Sequence, residues 1–146
     1  MKRSERIAST CIDAASVKRL GCYPVAELAP HREKVFVHVE FTAGAEISRN
    51  EHLFCEFKKC TLLEPEIRVE ASEQADGFEV RLSASHPAFW VNLNAQGIPG
   101  IFEDNGFTLL PDEPRTVRFS PREPGAVSLQ ALRDALTVES LRSTYS

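Results

Sequence analysis

The chain reads as an all-β protein, an antiparallel β-sandwich with one short C-terminal helix before its last strand. Three features lead there. Apolar residues alternate with polar ones in run after run, Gly and Pro break those runs at short intervals, and an Asp-Gly pair sits between two of them. The 146 residues suffice for about one domain of roughly 100–200 residues. They fall short of a (β/α)₈ barrel, which needs about 250 residues and rarely fewer than roughly 200.

Taken in order, Ile7–Ile12 and Ser16–Leu20 are short candidate strands. From 34 to 42, Val35, Val37, Val39 and Phe41 alternate with Phe36, His38, Glu40 and Thr42, as in a half-buried strand. His52–Phe57 is a further candidate, and Thr61-Leu62-Leu63-Glu64-Pro65 marks a boundary between a unit at 1–61 and one at 62–146. The period of two returns at Ile67, Val69 and Ala71, and again at Phe78, Val80 and Leu82. Asp76-Gly77 between these runs predicts a hairpin over 66–84.

Phe89, Val91 and Leu93 then share one face of a strand, leaving Trp90, Asn92 and Asn94 on the other. Pro99-Gly100 suits a type II turn and Asn105-Gly106 another, with Phe102, Phe107, Leu109 and Leu110 as the apolar surface beneath them. Val117 and Phe119 carry the next strand. Ser128 caps about two helical turns bearing Leu129, Leu132 and Leu136, and residues 137–141 run extended to close the sheet.

Composition bounds the function. Hydrophobic residues at 42% and charged residues at 26% are near the usual share of roughly 45–50% and 25% for a packed domain. The 17 basic against 21 acidic residues lack the basic stripe that a phosphate backbone requires, so no nucleic-acid partner is expected. Met1, Lys2 and Arg3 imitate a signal start, but Glu5, Arg6, Ser9, Thr10 and Asp13 interrupt the apolar run that should follow. No signal peptide and no membrane span are expected, and the compartment stays undetermined.

Cys11, Cys22, Cys55 and Cys60 form no C-x-x-C pair, and His31, His38, His52 and His86 are scattered. No metal and no cofactor are expected. The four cysteines could make two disulfides, but without a secretion signal the expected reading is free thiols acting as small buried hydrophobes.

The run Gly97-Ile98-Pro99-Gly100-Ile101-Phe102-Glu103-Asp104-Asn105-Gly106-Phe107-Thr108-Leu109-Leu110-Pro111-Asp112-Glu113-Pro114 continues into Arg115–Phe119 and, further on, Ser128–Leu132, Val138 and Leu141. It closely resembles the C-terminal immunoglobulin-like domain of β-mannosidases in glycoside hydrolase family two. Gly97, Gly100, Phe102, Asp104, Asn105, Phe107, Leu109, Leu110, Pro111, Glu113, Val117 and Phe119 carry the likeness, with Pro65-Glu66-Ile67 at the domain entrance. Asp112 stands where the family often has glycine, and Gly106 where an aromatic is common. Upstream, residues 35–41 and Ser48-Arg49-Asn50 resemble the closing strands of the preceding sandwich domain, which makes 1–61 a partial unit.

The resemblance implies a noncatalytic accessory domain that braces a catalytic barrel or shapes its sugar cleft, with that barrel as partner. No catalytic residue is carried over, because a retaining glycosidase needs two carboxyl groups about 5 Å apart and no such pair is identified here. Adjacent Glu103 and Asp104 read instead as a turn, Asp104 and Asn105 bonding their own backbone. Trp90 with Asn92 and Asn94 is the candidate contact, either for mannose-containing oligosaccharide or for a neighbouring domain. The alternative function is a freestanding carbohydrate-binding or protein-interaction module. An incomplete first unit would leave an apolar face open, so the isolated chain is expected either to pair as a homodimer or to fold that segment back and complete one enlarged sandwich.

Overall fold

The computed structural model describes residues 5–145 apart from 8, 23 and 27, in two compact units, Met1–Cys60 and Thr61–Ser146. Met1, Lys2, Arg3 and Ala8, which enter the readings above, lie outside the described residues.

In the first unit, β1 (Phe36–Ala43) and β2 (Glu46–Leu53) form an antiparallel hairpin in register from Phe36↔Leu53 to Ala43↔Glu46. His38 Nδ1 and Glu51 Oε1 meet at 2.8 Å, and Arg49 Nη2 lies 3.0 Å from Glu40 Oε2. The expected strand at 34–42 is therefore present, but its faces are reversed near its start: Phe36 and His38 are half-buried, and the side expected to be covered is open. Val37, Val39 and Phe41 are all exposed, and no described residue up to Cys60 is buried.

The strands expected at Ile7–Ile12 and Ser16–Leu20 do not form among the described residues, because a ladder needs a neighbour and none is present there. His52 and Leu53 end β2, and Phe57–Lys59 make a 3₁₀ turn instead of a strand. β2 starts earlier than expected because it pairs with β1, and its polar residues carry no alternation to mark it. Cys11 and Cys22 are exposed and Cys55 and Cys60 half-buried, so none is a buried core residue; all four are free thiols.

Among the described residues, the second unit is a sandwich of seven strands. In chain order they are β3 (Arg68–Gln74), β4 (Gly77–Ser83), β5 (Ala88–Ala95), β6 (Gly100–Phe102), β7 (Phe107–Leu109), β8 (Arg115–Pro121) and β9 (Leu136–Glu139). One sheet has the order β3-β4-β8-β6 and the other β7-β5-β9, every pair antiparallel. Four strands against three is the immunoglobulin-like division. Between the sheets, Val80, Leu82 and Val117 from one meet Val91, Leu93 and Leu109 from the other. Each such burial contributes roughly 1.5–3 kcal/mol. Phe78, Ala95, Phe119 and Leu132 form a second cluster.

Leu132 comes from α1 (Leu129–Ala135), the expected short helix, whose Ser128 cap accepts a hydrogen bond from the Ala131 N–H at 3.1 Å. Arg133 of α1 donates to the Ala71 carbonyl of the edge strand β3 at 2.7 Å. That bond satisfies an acceptor an open edge would otherwise present to another chain. The extended run at 137–141 ends at Glu139, because Ser140 and Ser143 cap each other and start a 3₁₀ turn, Leu141–Thr144, which packs on β5.

The hairpin predicted over 66–84 is present, turning at Ala75-Asp76 so that Gly77 already pairs with Gln74. The Pro99-Gly100 turn is not. The chain turns earlier, at Gln96-Gly97, where Gly97 takes φ 74° and the Ile98 N–H reaches the Ala95 carbonyl at 3.1 Å. Gly100 is needed for another reason: a Cβ there would lie 2.4 Å from Cζ of Phe119.

A candidate contact face on the central strand

β5 is irregular where the candidate residues begin. Its pairing with β7 shifts between Ala88 and Val91, and Trp90 sits at φ 52°, a left-handed conformation that costs a bulky residue on the order of 1–3 kcal/mol. The bulge overturns one expectation. Ala88, Val91 and Leu93 join the inner core, whereas Phe89 is buried but belongs to neither inner cluster. An extra residue between two inward-facing positions breaks the alternation, so Phe89 does not share the face of Val91 and Leu93.

Beyond the bulge the alternation is regular. Asn92 and Asn94 are exposed while Val91, Leu93 and Ala95 are buried, and Trp90 is 44% exposed. The face therefore offers an indole surface and two primary amides.

The loop after β6 is tied to the same strand. Asn105 Oδ1 accepts from the Leu93 N–H at 2.7 Å, and its Nδ2 donates to the Leu93 carbonyl at 2.9 Å. One side-chain amide thus replaces a strand neighbour where β7 has not yet begun. Asn105 also accepts from the Gly106 N–H at 3.2 Å, and Asp104 Oδ1 from the Asn105 N–H at 2.8 Å. The other Asp104 oxygen pairs with Arg115, whose guanidinium lies 4.3 Å over the Phe107 ring. With one oxygen on Arg115 and the other on the backbone, Asp104 holds a loop rather than facing a second carboxylate. Arg115's part in this lock was not legible from spacing, because the pair spans a loop and a change of strand.

The remaining motif residues serve the same frame. Phe102 packs against Phe119 with ring centroids 4.6 Å apart, and Phe107 is buried. Leu110, Pro111, Asp112 and Glu113 form a turn closed by the Glu113 N–H on the Leu110 carbonyl at 3.3 Å. Asp112 there takes φ 63°, the conformation in which glycine is easiest and aspartate tolerated.

A shallow recess of about 340 Å³ opens beside β6. Asn94, Gly100, Phe102 and Asn105 line it with Ile98 and Ile101, whereas Trp90 and Asn92 do not. The candidate contact residues therefore share a strand but not one concavity. Ile101, 73% exposed, is a surface apolar group that the motif reading did not single out, since a single isoleucine in a short strand carries no periodic signal. Among the described residues no group of three or more His, Cys, Asp or Glu could hold a metal ion, and no helix is long and apolar enough to cross a membrane.

A family model for an Ig-fold domain, Ig_mannosidase, matches residues 62–144. The chain is 32% identical to β-mannosidase of Mus musculus over 146 residues, 94% of this chain. It is 40% identical over 79 residues to β-mannosidase of Bos taurus and 40% over 68 residues to that of Capra hircus. It spans only 16%, 9% and 7% of the lengths of these relatives.

Proposed function

This chain belongs to the Ig_mannosidase family of Ig-fold domains, and we propose that it serves as a noncatalytic accessory domain of a β-mannosidase-like glycoside hydrolase. In that role it braces the catalytic barrel or shapes the sugar cleft. The observation that carries the reading is the match over 62–144, in a chain that spans 16% of the mouse relative's length. Chemistry of the retaining type needs two carboxylates held across a sugar ring, and the acid at the centre of the family motif, Asp104, is committed to Arg115 and the Asn105 N–H. On this reading Trp90, Asn92 and Asn94 are a contact surface, and residues 1–61 are the closing part of the domain before it. A strained Trp on a bulged central strand gives a neighbour a fixed aromatic face at little entropic cost.

The same exposed Trp and amides favour a second reading, a freestanding carbohydrate-binding sandwich. The test has two parts. The coding sequence ahead of Met1 should encode an in-frame (β/α)₈ barrel, and the purified chain should hydrolyse no chromogenic β-mannoside. A frame without a barrel, together with saturable quenching of Trp90 fluorescence by mannose oligosaccharides, would replace the accessory reading with the second one.

A further inference from the structure

We propose that Cys55 and Cys60 form a dithiol that closes to a disulfide by exchange with a small-molecule disulfide, making the end of the first unit a covalent modification site. Their sulfurs lie 3.2 Å apart. The backbone between them brings this about: Phe57–Lys59 form a 3₁₀ turn, with the Lys59 N–H on the Glu56 carbonyl at 2.8 Å and the Cys60 N–H on the Phe57 carbonyl at 3.0 Å. A disulfide needs its sulfurs about 2.05 Å apart, so closure asks each to move by less than about 1 Å. Cys11 and Cys22, by contrast, are exposed thiols in irregular backbone.

The surroundings bear on which sulfur opens the exchange. Partial burial, then the hydrogen bond and charge of Cys55, and last Glu33, push the Cys60 thiol up to about 11. Burial and this contact disfavour a thiolate at Cys60 as the opening nucleophile, and exchange opening at either sulfur of the pair leads to the same product. When it opens at Cys55, the Cys55 thiolate attacks one sulfur of an oxidised glutathione molecule, forming a mixed disulfide and releasing one glutathione thiolate. Cys60 then gives its proton to solvent, attacks the Cys55 sulfur and expels the second glutathione. Two protein thiols are oxidised by two electrons, and one small-molecule disulfide is reduced to two thiols. The product ties residue 60, where the first unit ends, to the residues just after β2.

The test uses the full chain with oxidised glutathione, followed by an acid quench, blocking of free thiols and trypsin digestion. Trypsin cuts after Lys58 and Lys59, so the expected product joins peptides 50–58 and 60–68 as one species that separates on reduction. The intact chain loses about 2 Da for this bond, two hydrogen atoms. The double variant Cys11→Ser/Cys22→Ser should keep the linked species, and Cys60→Ser should stop at a glutathione adduct on Cys55. Closure in native buffer should be about ten-fold faster than in denaturant, since the fold pre-positions the pair. Persistent glutathione adducts on both Cys55 and Cys60, a chain that stays reduced, or equal rates in the two solvents would each overturn the proposal.

Discussion

Two hairpins in this molecule share a design and end in opposite states. In β1–β2, Val37, Val39 and Phe41 alternate as a face should, and they are 38%, 54% and 50% exposed. In β3–β4, Phe78, Val80 and Leu82 alternate in the same way, at 2%, 0% and 0%. The difference lies outside the hairpins. The β7-β5-β9 sheet and α1 supply a second apolar layer for the latter, and no described residue of the first unit is buried. Period-two alternation thus specifies a strand and its faces, while burial is a property of what covers them.

The sharpest way to break this comparison is to remove one aromatic from each unit. Phe119→Ala should destabilise the second unit by about 3–5 kcal/mol, since it empties a site shared by Phe78, Phe102 and Leu132. Phe41→Ala should cost about 0.5 kcal/mol or less, as at other exposed positions. Urea unfolding read by circular dichroism, with Trp90 as the single indole, measures both. Equal costs would mean that the first face is covered in solution. Self-association through that face is what we propose in that event, and sedimentation at several concentrations would show it as a monomer–dimer equilibrium.

Glycines extend the contrast. Gly100→Ala should cost about 1–3 kcal/mol, because its Cβ would meet the Phe119 ring at 2.4 Å and the Ser120 carbonyl at 2.7 Å. Gly44→Ala meets nothing within 4 Å and should cost only the backbone strain of φ 63°, about 1–2 kcal/mol. Repacking cost should therefore register in the second unit alone. Denaturant midpoints of the two variants check it, and the Gly100 variant should also shift the Phe119 ring resonances.

Asparagines give a smaller difference. Asn105→Ala removes both bonds to the Leu93 backbone and should cost about 1–3 kcal/mol, with faster hydrogen exchange at Leu93. Asn50→Ala removes one exposed bond, from the Glu51 N–H at 2.9 Å, and should cost about 0.5 kcal/mol. A comparable loss at both would show that the Asn105 amide is not standing in for a strand.

The last effect, at Cys60, depends on pH. A thiol whose folded value is about 11 disfavours the thiolate, so the first unit should be most stable below the ordinary value of 9.0 and lose that margin as pH climbs from 9.0 to about 11. Iodoacetamide labelling across this range should modify Cys60 after Cys11 and Cys22. Simultaneous labelling of all three would contradict the burial and the Cys55 contact together.

Much of the second unit was legible because its signals are local. The hairpin at 68–83, the Ser128 cap and the closing strand each rest on residues within about two turns or one strand of one another. The motif from Gly97 to Pro114 was legible as a family likeness, and its turns were partly misassigned. Gly100 looks like a turn glycine until the Phe119 ring is placed beside it. The candidate face was half legible: alternation marked Trp90, Asn92 and Asn94 as outward, but it also put Phe89 inward.

By itself, then, the order of residues determined the class of fold, the antiparallel pairing of its main hairpin, the helix start and the family. These follow from period, turn chemistry and capping, which act over a few residues. Only the tertiary structure decided the rest: the bulge that turns Phe89 out of the inner core, the Asn105 amide that completes a strand, the Arg115 pairing of Asp104, and the approach of Cys55 to Cys60. Each depends on distances between groups that come together only when separate segments fold, and burial of the strand at residues 36–43 depends on a second layer that no alternation within the strand can supply.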